Sequence, residues 1–249
     1  MTMTDSQAMS APVRTHAGLP GGSLGTAKQT AWGGLLVRHP RWSPTPLGCL
    51  ALLFAVAFGV ALLVLEVHPF LAVTERTGTP YLVVEGWVPN YALEESIAEF
   101  KSKPYRKIFT VGGAILNGVN VEPSDNDADY TAKRLTWLGM QSALVQPVPS
   151  GAHFRDRTYS SALALKEWLD HHEPGLRSFN LVTVGVHGRR SRLLFQEAFG
   201  DKVRVGIISI DDREYDPKRW WQYSEGVKEV LSEGAGYLYA RFFFHPANK

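Results

Sequence analysis

The apolar residues are spread so unevenly that the chain falls into three unlike parts. Residues 1–46 carry no sustained apolar period and are rich in Gly, Ser, Thr, Pro and Ala, the composition of a disordered tail. Residues 47–65, LGCLALLFAVAFGVALLVL, are nineteen positions without a charge, closed by Glu66. A helix of that length reaches ~28 Å, close to the hydrocarbon thickness of a bilayer, and it lacks the polar stripe of a soluble surface helix. An uncleaved transmembrane helix is expected, because the leader is too long for a signal peptide and no clean cleavage site follows. Arg38 and Arg41 precede the span, while Glu66 and Glu75 follow it before Arg76. The positive-inside rule therefore predicts a single-pass protein of the inner (cytoplasmic) membrane, with a cytoplasmic tail and everything after Leu65 extracytoplasmic.

Beyond the span, residues 76–249 alternate strand-like and helix-like segments. YLVVE (81–85), KIFTV (107–111), ALVQPV (143–148), FNLVTVGV (179–186) and VRVGIIS (203–209) read as strands, the third an edge strand because of Pro147. Between and after them, helices are predicted from Asn90 to about Ser102, over 124–139 with Ser124 as its N-cap, over 157–172, over 188–199 ending at Gly200, and from about Ser224 to Phe243. Strands apolar on both faces that alternate with helices predict a parallel sheet covered on both sides. The expected fold is α/β: a Rossmann-like three-layer domain with a mainly parallel sheet of about five strands, preceded by one transmembrane helix. The tail and span show no periodic apolar face to pack on it, so 76–249 is expected to fold by itself.

Composition narrows the function classes. With 45% hydrophobic and 20% charged residues among 249, the chain is not disordered overall, and a net charge of +2 gives no bulk electrostatic basis for binding nucleic acid. The single cysteine, Cys49, excludes an internal disulfide and a multi-cysteine zinc site. Asp125, Asp127 and Asp129 lack the glycine and distal glutamate of an EF-hand and read as acids at a helix start. No metal and no cofactor are expected. Gly112-Gly113 lacks the lysine of a P-loop, and export removes the domain from ATP.

Ligands of open parallel sheets bind at the carboxyl ends of the strands. Those ends carry Glu85-Gly86-Trp87, Gly112-Gly113, the 149–158 loop and His187-Gly188-Arg189-Arg190. Arg189 and Arg190 in the first turn of a helix oppose its macrodipole, which asks for an anionic partner; an ion pair with acids elsewhere is the plainer alternative. Thr158 either caps its helix or contacts a ligand, and the two glycines are turn residues or a close-approach loop. Trp220-Trp221 with Tyr223 reads as packing or as an interfacial belt.

In order and spacing these segments resemble the YdcF-like superfamily, which includes the SanA and ElyC envelope proteins. The resemblance covers roughly residues 80–240. It rests on the strand entering Glu85-Gly86, on Val111-Gly112-Gly113, on the acid Asp129 in the next helix, on Thr158 to Ala162 and on His187 to Arg190. Asp129 stands where the family has glutamate, Ser161 where it has asparagine, and Trp87 follows where the family loop is more aliphatic. Membrane-anchored members are associated with envelope integrity and with peptidoglycan or lipid-carrier metabolism. The resemblance thus implies an exported domain that binds a phosphorylated small-molecule or lipid-linked envelope substrate and, if it is an enzyme, hydrolyses or transfers it. Its expected catalytic residues are His187, Asp129 and Glu85, with Gly86, Gly112, Gly113, Thr158, Ser161, Arg189 and Arg190 binding substrate. A non-catalytic envelope scaffold or sensor is the alternative.

Overall fold

The computed structural model describes residues 30–31, 34–38, 42–115, 126–151 and 156–246. The chain divides into two compact units, Met1–Ala57 and Phe58–Lys249. In the first, β1 (Thr30–Ala31), β2 (Leu36–Arg38) and β3 (Trp42–Pro44) pair antiparallel in that order, so the tail is not wholly structureless. Most of the remaining tail, and Ser124, lie outside the described residues.

Helix α1 spans Pro46–Leu71 and is the one described helix long and apolar enough to cross a membrane. It runs six residues past the uncharged segment that predicted it, because its last turns carry out a different task. Leu71 and His68 are buried, and Leu71 joins Val186, Tyr215, Trp220 and Val230 in a core cluster that also takes up Val64 and Val67. Trp220 donates its indole N–H to the Val64 carbonyl at 2.9 Å. The α/β unit therefore does not begin at residue 76. Residues just after α1 belong to it too: Glu75 exchanges two 2.8 Å backbone hydrogen bonds with Ile207 and adds one antiparallel residue to the sheet edge.

That sheet has five strands, all parallel: β4 (Tyr81–Glu85), β5 (Lys107–Gly112), β6 (Val145–Pro149), β7 (Ser178–Val184) and β8 (Arg204–Ile210), in the order β6-β5-β4-β7-β8. Alternation along each strand makes the three layers. Leu82, Val84, Ile108, Val182 and Ile208 meet Leu93 and Ile97 of α2 (Asn90–Ser102) and Leu135 of α3 (Asp127–Trp137). Val83, Phe109, Leu181 and Ile207 meet Leu165 and Leu169 of α4 (Arg157–His172) and Phe195 of α5 (Gly188–Phe199). Residues two apart share a face, so each strand is apolar on both. The last helix, α6 (Ser224–Phe242), packs on the α1 end and on α5. Pro147 sits in the edge strand β6, where its missing N–H leaves no gap in the ladder.

Strand order fixes where a ligand can enter. The chain winds outward from β4 to β6, then returns to the other side of β4 with β7 and β8. The direction of winding reverses between β4 and β7, and at such a switch point the following loops part and leave a crevice at the carboxyl edge.

Candidate functional site

A cleft of about 480 Å³ opens at that edge, lined by Glu85, Trp87, Val111, Gly112, Gly113, Asp127, Asp156, Arg157, Thr158, Ser161, His187, Arg190 and Glu229. Glu85 ends β4 and His187 closes the single 3₁₀ turn after β7, so the two stand on either side of the switch point. The amino ends of α3, α4 and α5 all reach the cleft, through Asp127, Arg157 and His187. Asn126 caps α3 by accepting from the Asp129 N–H at 2.8 Å, whereas α4 and α5 receive no hydrogen bond from an N-cap side chain. The first-turn amides of α4 are the groups an anion would accept from, whereas α5 continues the 3₁₀ turn and its Gly188 N–H already bonds the Gly185 carbonyl. Asp156, ahead of α4, holds a left-handed backbone at φ 53°, which aspartate tolerates better than most residues.

His187 is the centre of the polar network. Its Nδ1 is 3.0 Å from Glu233 Oε1 and 3.1 Å from Arg190 Nη2. One nitrogen cannot serve both at once, since it would have to donate to one and accept from the other. Arg190 already has the carboxylate, through Nε to Oε2 at 2.7 Å and Nη2 to Oε1 at 3.0 Å. We therefore assign the Nδ1 proton to the bond with Glu233. That leaves Nε2, which has no hydrogen-bond partner among the described residues and lies 3.8 Å from Glu85 Oε2. Both oxygens of Glu85 accept from the Ser191 hydroxyl at 3.1 Å, and the Trp87 ring packs edge-on against the imidazole at 4.9 Å. Burial by itself would raise the Glu233 carboxyl, but the hydrogen bonds from His187 and Arg190 outweigh it and hold the pKa down at about 2. Burial pushes Asp127 up despite Arg157 at 2.9 Å.

Several expected site residues are not where sequence placed them. Asp129 faces away: it accepts from Asn126 and lines a separate hollow with Tyr130 and Lys133. Two residues along a helix are about 200° apart, so Asp127 in the cleft puts Asp129 on the far side. Arg189 is about 100° from Arg190 and points to the end of α1, donating to the Phe70 carbonyl with its guanidinium 4.0 Å from the Phe70 ring. Arg190 does line the cleft, but its guanidinium is occupied by Glu233, the ion-pair alternative. Gly86 is a packing residue rather than a ligand contact, since a Cβ there would stand 2.6 Å from the Asp127 carbonyl oxygen. Gly112 has the same neighbour, at 2.5 Å from Asp127 Cβ, because the start of α3 crosses directly over the end of β5.

His187, Glu85, Gly112, Gly113, Thr158 and Ser161 are brought together as expected. The buried Ser161 hydroxyl is 3.3 Å from that of Ser150 and ties α4 to the end of β6. Sequence reasoning missed Glu233 and Glu229, which arrive on α6, more than forty residues after His187. A signal for Glu233 exists: it shares a helical face with Val230 and Tyr237, and an acid on an apolar face asks for a buried partner. Compared with known protein families, curated proteins and solved structures, the chain matches none of them.

Proposed function

We propose that this chain is a membrane-anchored protein of the cell envelope whose α/β domain binds a phosphorylated envelope metabolite in the cleft and hydrolyses it or transfers its phosphoryl group. The observation that carries this reading is His187: one ring nitrogen held by a buried carboxylate, the other without a partner among the described residues, at a sheet edge where helix amino ends converge. Such a ring exchanges a proton at Nε2 while Glu233 stabilises the imidazolium that forms. Glu85, next to Nε2, orients the ring or a water. The amides of the first turn of α4 and the half-exposed Arg157 receive the anion. Arg190 acts indirectly, by positioning Glu233 and His187.

The test uses the full chain in nanodiscs, screened by thermal shift against inorganic phosphate and phosphorylated envelope metabolites, with phosphate release followed for any that bind. His187→Ala is expected to lower turnover by roughly 10²- to 10⁴-fold while leaving binding within a few-fold. Arg157→Ala is expected to weaken binding by about tenfold, the low end for a charge-assisted contact because the side chain is half exposed. If no phosphorylated compound stabilises the protein, or both variants behave as the parent, the domain is instead a scaffold or sensor.

The orientation proposed with this function leaves the N-terminus in the cytoplasm. A reporter active only outside the cytoplasm, fused after Lys249, is expected to be active, and activity of a cytoplasm-dependent reporter alone would reverse the topology.

A further inference from the structure

The turn Pro217–Gln222 is fastened to the membrane helix at a defined depth. Trp220 donates to the carbonyl of Val64, and Val64 is the second-to-last residue of the uncharged run that ends before Glu66. The boundary between hydrocarbon and headgroups falls where that run ends. Trp220 is buried by this contact, but its neighbours are not: Trp221 is 38% exposed and Tyr223 41% exposed, with the Trp221 ring edge-on to Trp220 at 6.0 Å. Rings with one apolar body and one polar tip concentrate at membrane–water interfaces, where both needs are met.

We propose that Trp221 and Tyr223 rest in the interfacial layer of the same bilayer that α1 crosses, giving the α/β unit a second membrane contact beside its anchor. This rests on the membrane reading above. The contact is apolar and aromatic rather than electrostatic. Around it Lys218, Arg219 and Lys228 are interspersed with Asp216, Glu225 and Glu229, and Arg219 is within 3.9 Å of Asp216, so the patch offers anionic lipid no net attraction. The occupant is the bilayer itself, zwitterionic lipid included. Because Glu229 lines the cleft and lies on the first turns of the helix that follows this turn, the contact also sets how the cleft meets the membrane surface.

The test is a depth measurement on the full chain in phosphatidylcholine nanodiscs. In a Cys49→Ser background, the variants Trp221→Cys, Tyr223→Cys, Leu62→Cys and Lys166→Cys each receive a nitroxide, and collision with oxygen is compared with collision with a water-soluble nickel chelate. Leu62, in the span, reports lipid, and Lys166, partly exposed on α4, reports water. Positions 221 and 223 are expected to give an oxygen-to-nickel ratio several-fold above that at 166 and below that at 62, unchanged by added salt. A ratio equal to that at 166, with lipid still reported at 62, overturns the contact and leaves the anchor standing. Shielding of 221 and 223 from both reagents overturns it in favour of a protein partner. Water reported at 62 removes the membrane reading itself.

Discussion

A chain that begins at residue 76 is expected not to fold cooperatively, although every strand and helix of the α/β unit from β4 onward is retained. The cut removes Leu71, which is 1% exposed, and removing a buried leucine side chain costs on the order of 2–5 kcal/mol. Val64 and Val67, the buried His68 beside the Tyr215 hydroxyl at 3.3 Å, and the hydrogen bond from Trp220 go with it. So does Glu75, whose backbone pairs with Ile207 of β8, leaving that edge open for association with other chains. Against a net stability of about 5–15 kcal/mol for a domain, these losses are decisive. Thermal melts followed by circular dichroism, with gel filtration, compare 76–249 with 62–249, which keeps the packing residues. A cooperative melt of the shorter fragment close to that of the longer one would show that the end of α1 is dispensable.

Arg190→Ala is the second large effect, and it acts on stability before it acts on any ligand. Glu233 is 8% exposed, and truncating the arginine strands its carboxylate beside His187. Breaking a buried pair from one side typically costs 3–5 kcal/mol; with Arg190 itself partly exposed, about 3 kcal/mol is expected. Glu233→Gln in the same chain should recover part of this, because the residue left behind is neutral. The pH dependence has a definite sign. Glu233 is depressed from its ordinary 4.5 to about 2 in the folded protein, so its contribution is complete above about pH 4.5 and is lost as pH falls toward 2. That depression corresponds to roughly 3 kcal/mol. Denaturant midpoints of the full chain in nanodiscs should therefore fall between pH 5 and pH 2.5, and Glu233→Gln should flatten that part of the profile. A parent-like midpoint for Arg190→Ala would mean that His187 alone suffices to hold the carboxylate.

The two predictions share a cause: both concern groups that local sequence could not connect. The layers were legible because they depend on periods of two and 3.6 within a few residues. YLVVE, KIFTV and VRVGIIS are apolar at consecutive positions, as a strand buried on both faces requires, and the structure places all three in one parallel sheet. The cleft's position followed from the same pattern, since glycines and polar residues gather at the strand ends that face helix amino termini. His187, Glu85, Gly112, Gly113 and Thr158 were found that way, whereas Ser161 was expected only from the resemblance.

What the sequence left open was settled by direction and distance. Arg189 and Arg190 are neighbours in the chain, yet a turn of about 100° sends one to Phe70 and the other to Glu233. Asp127 and Asp129 separate for the same reason, and a motif written in letters carries no azimuth. Glu233 is linked to His187 only because α6 packs across α5 and the end of α1, a contact whose residues are spread over more than a hundred and fifty positions. Helix α1 shows the division most plainly. Its uncharged length alone predicted a span, because hydrocarbon thickness sets that length. Its last six residues look like any helix continuation, and only the packing of Leu71 against Val186, Trp220 and Val230 makes them part of the domain core.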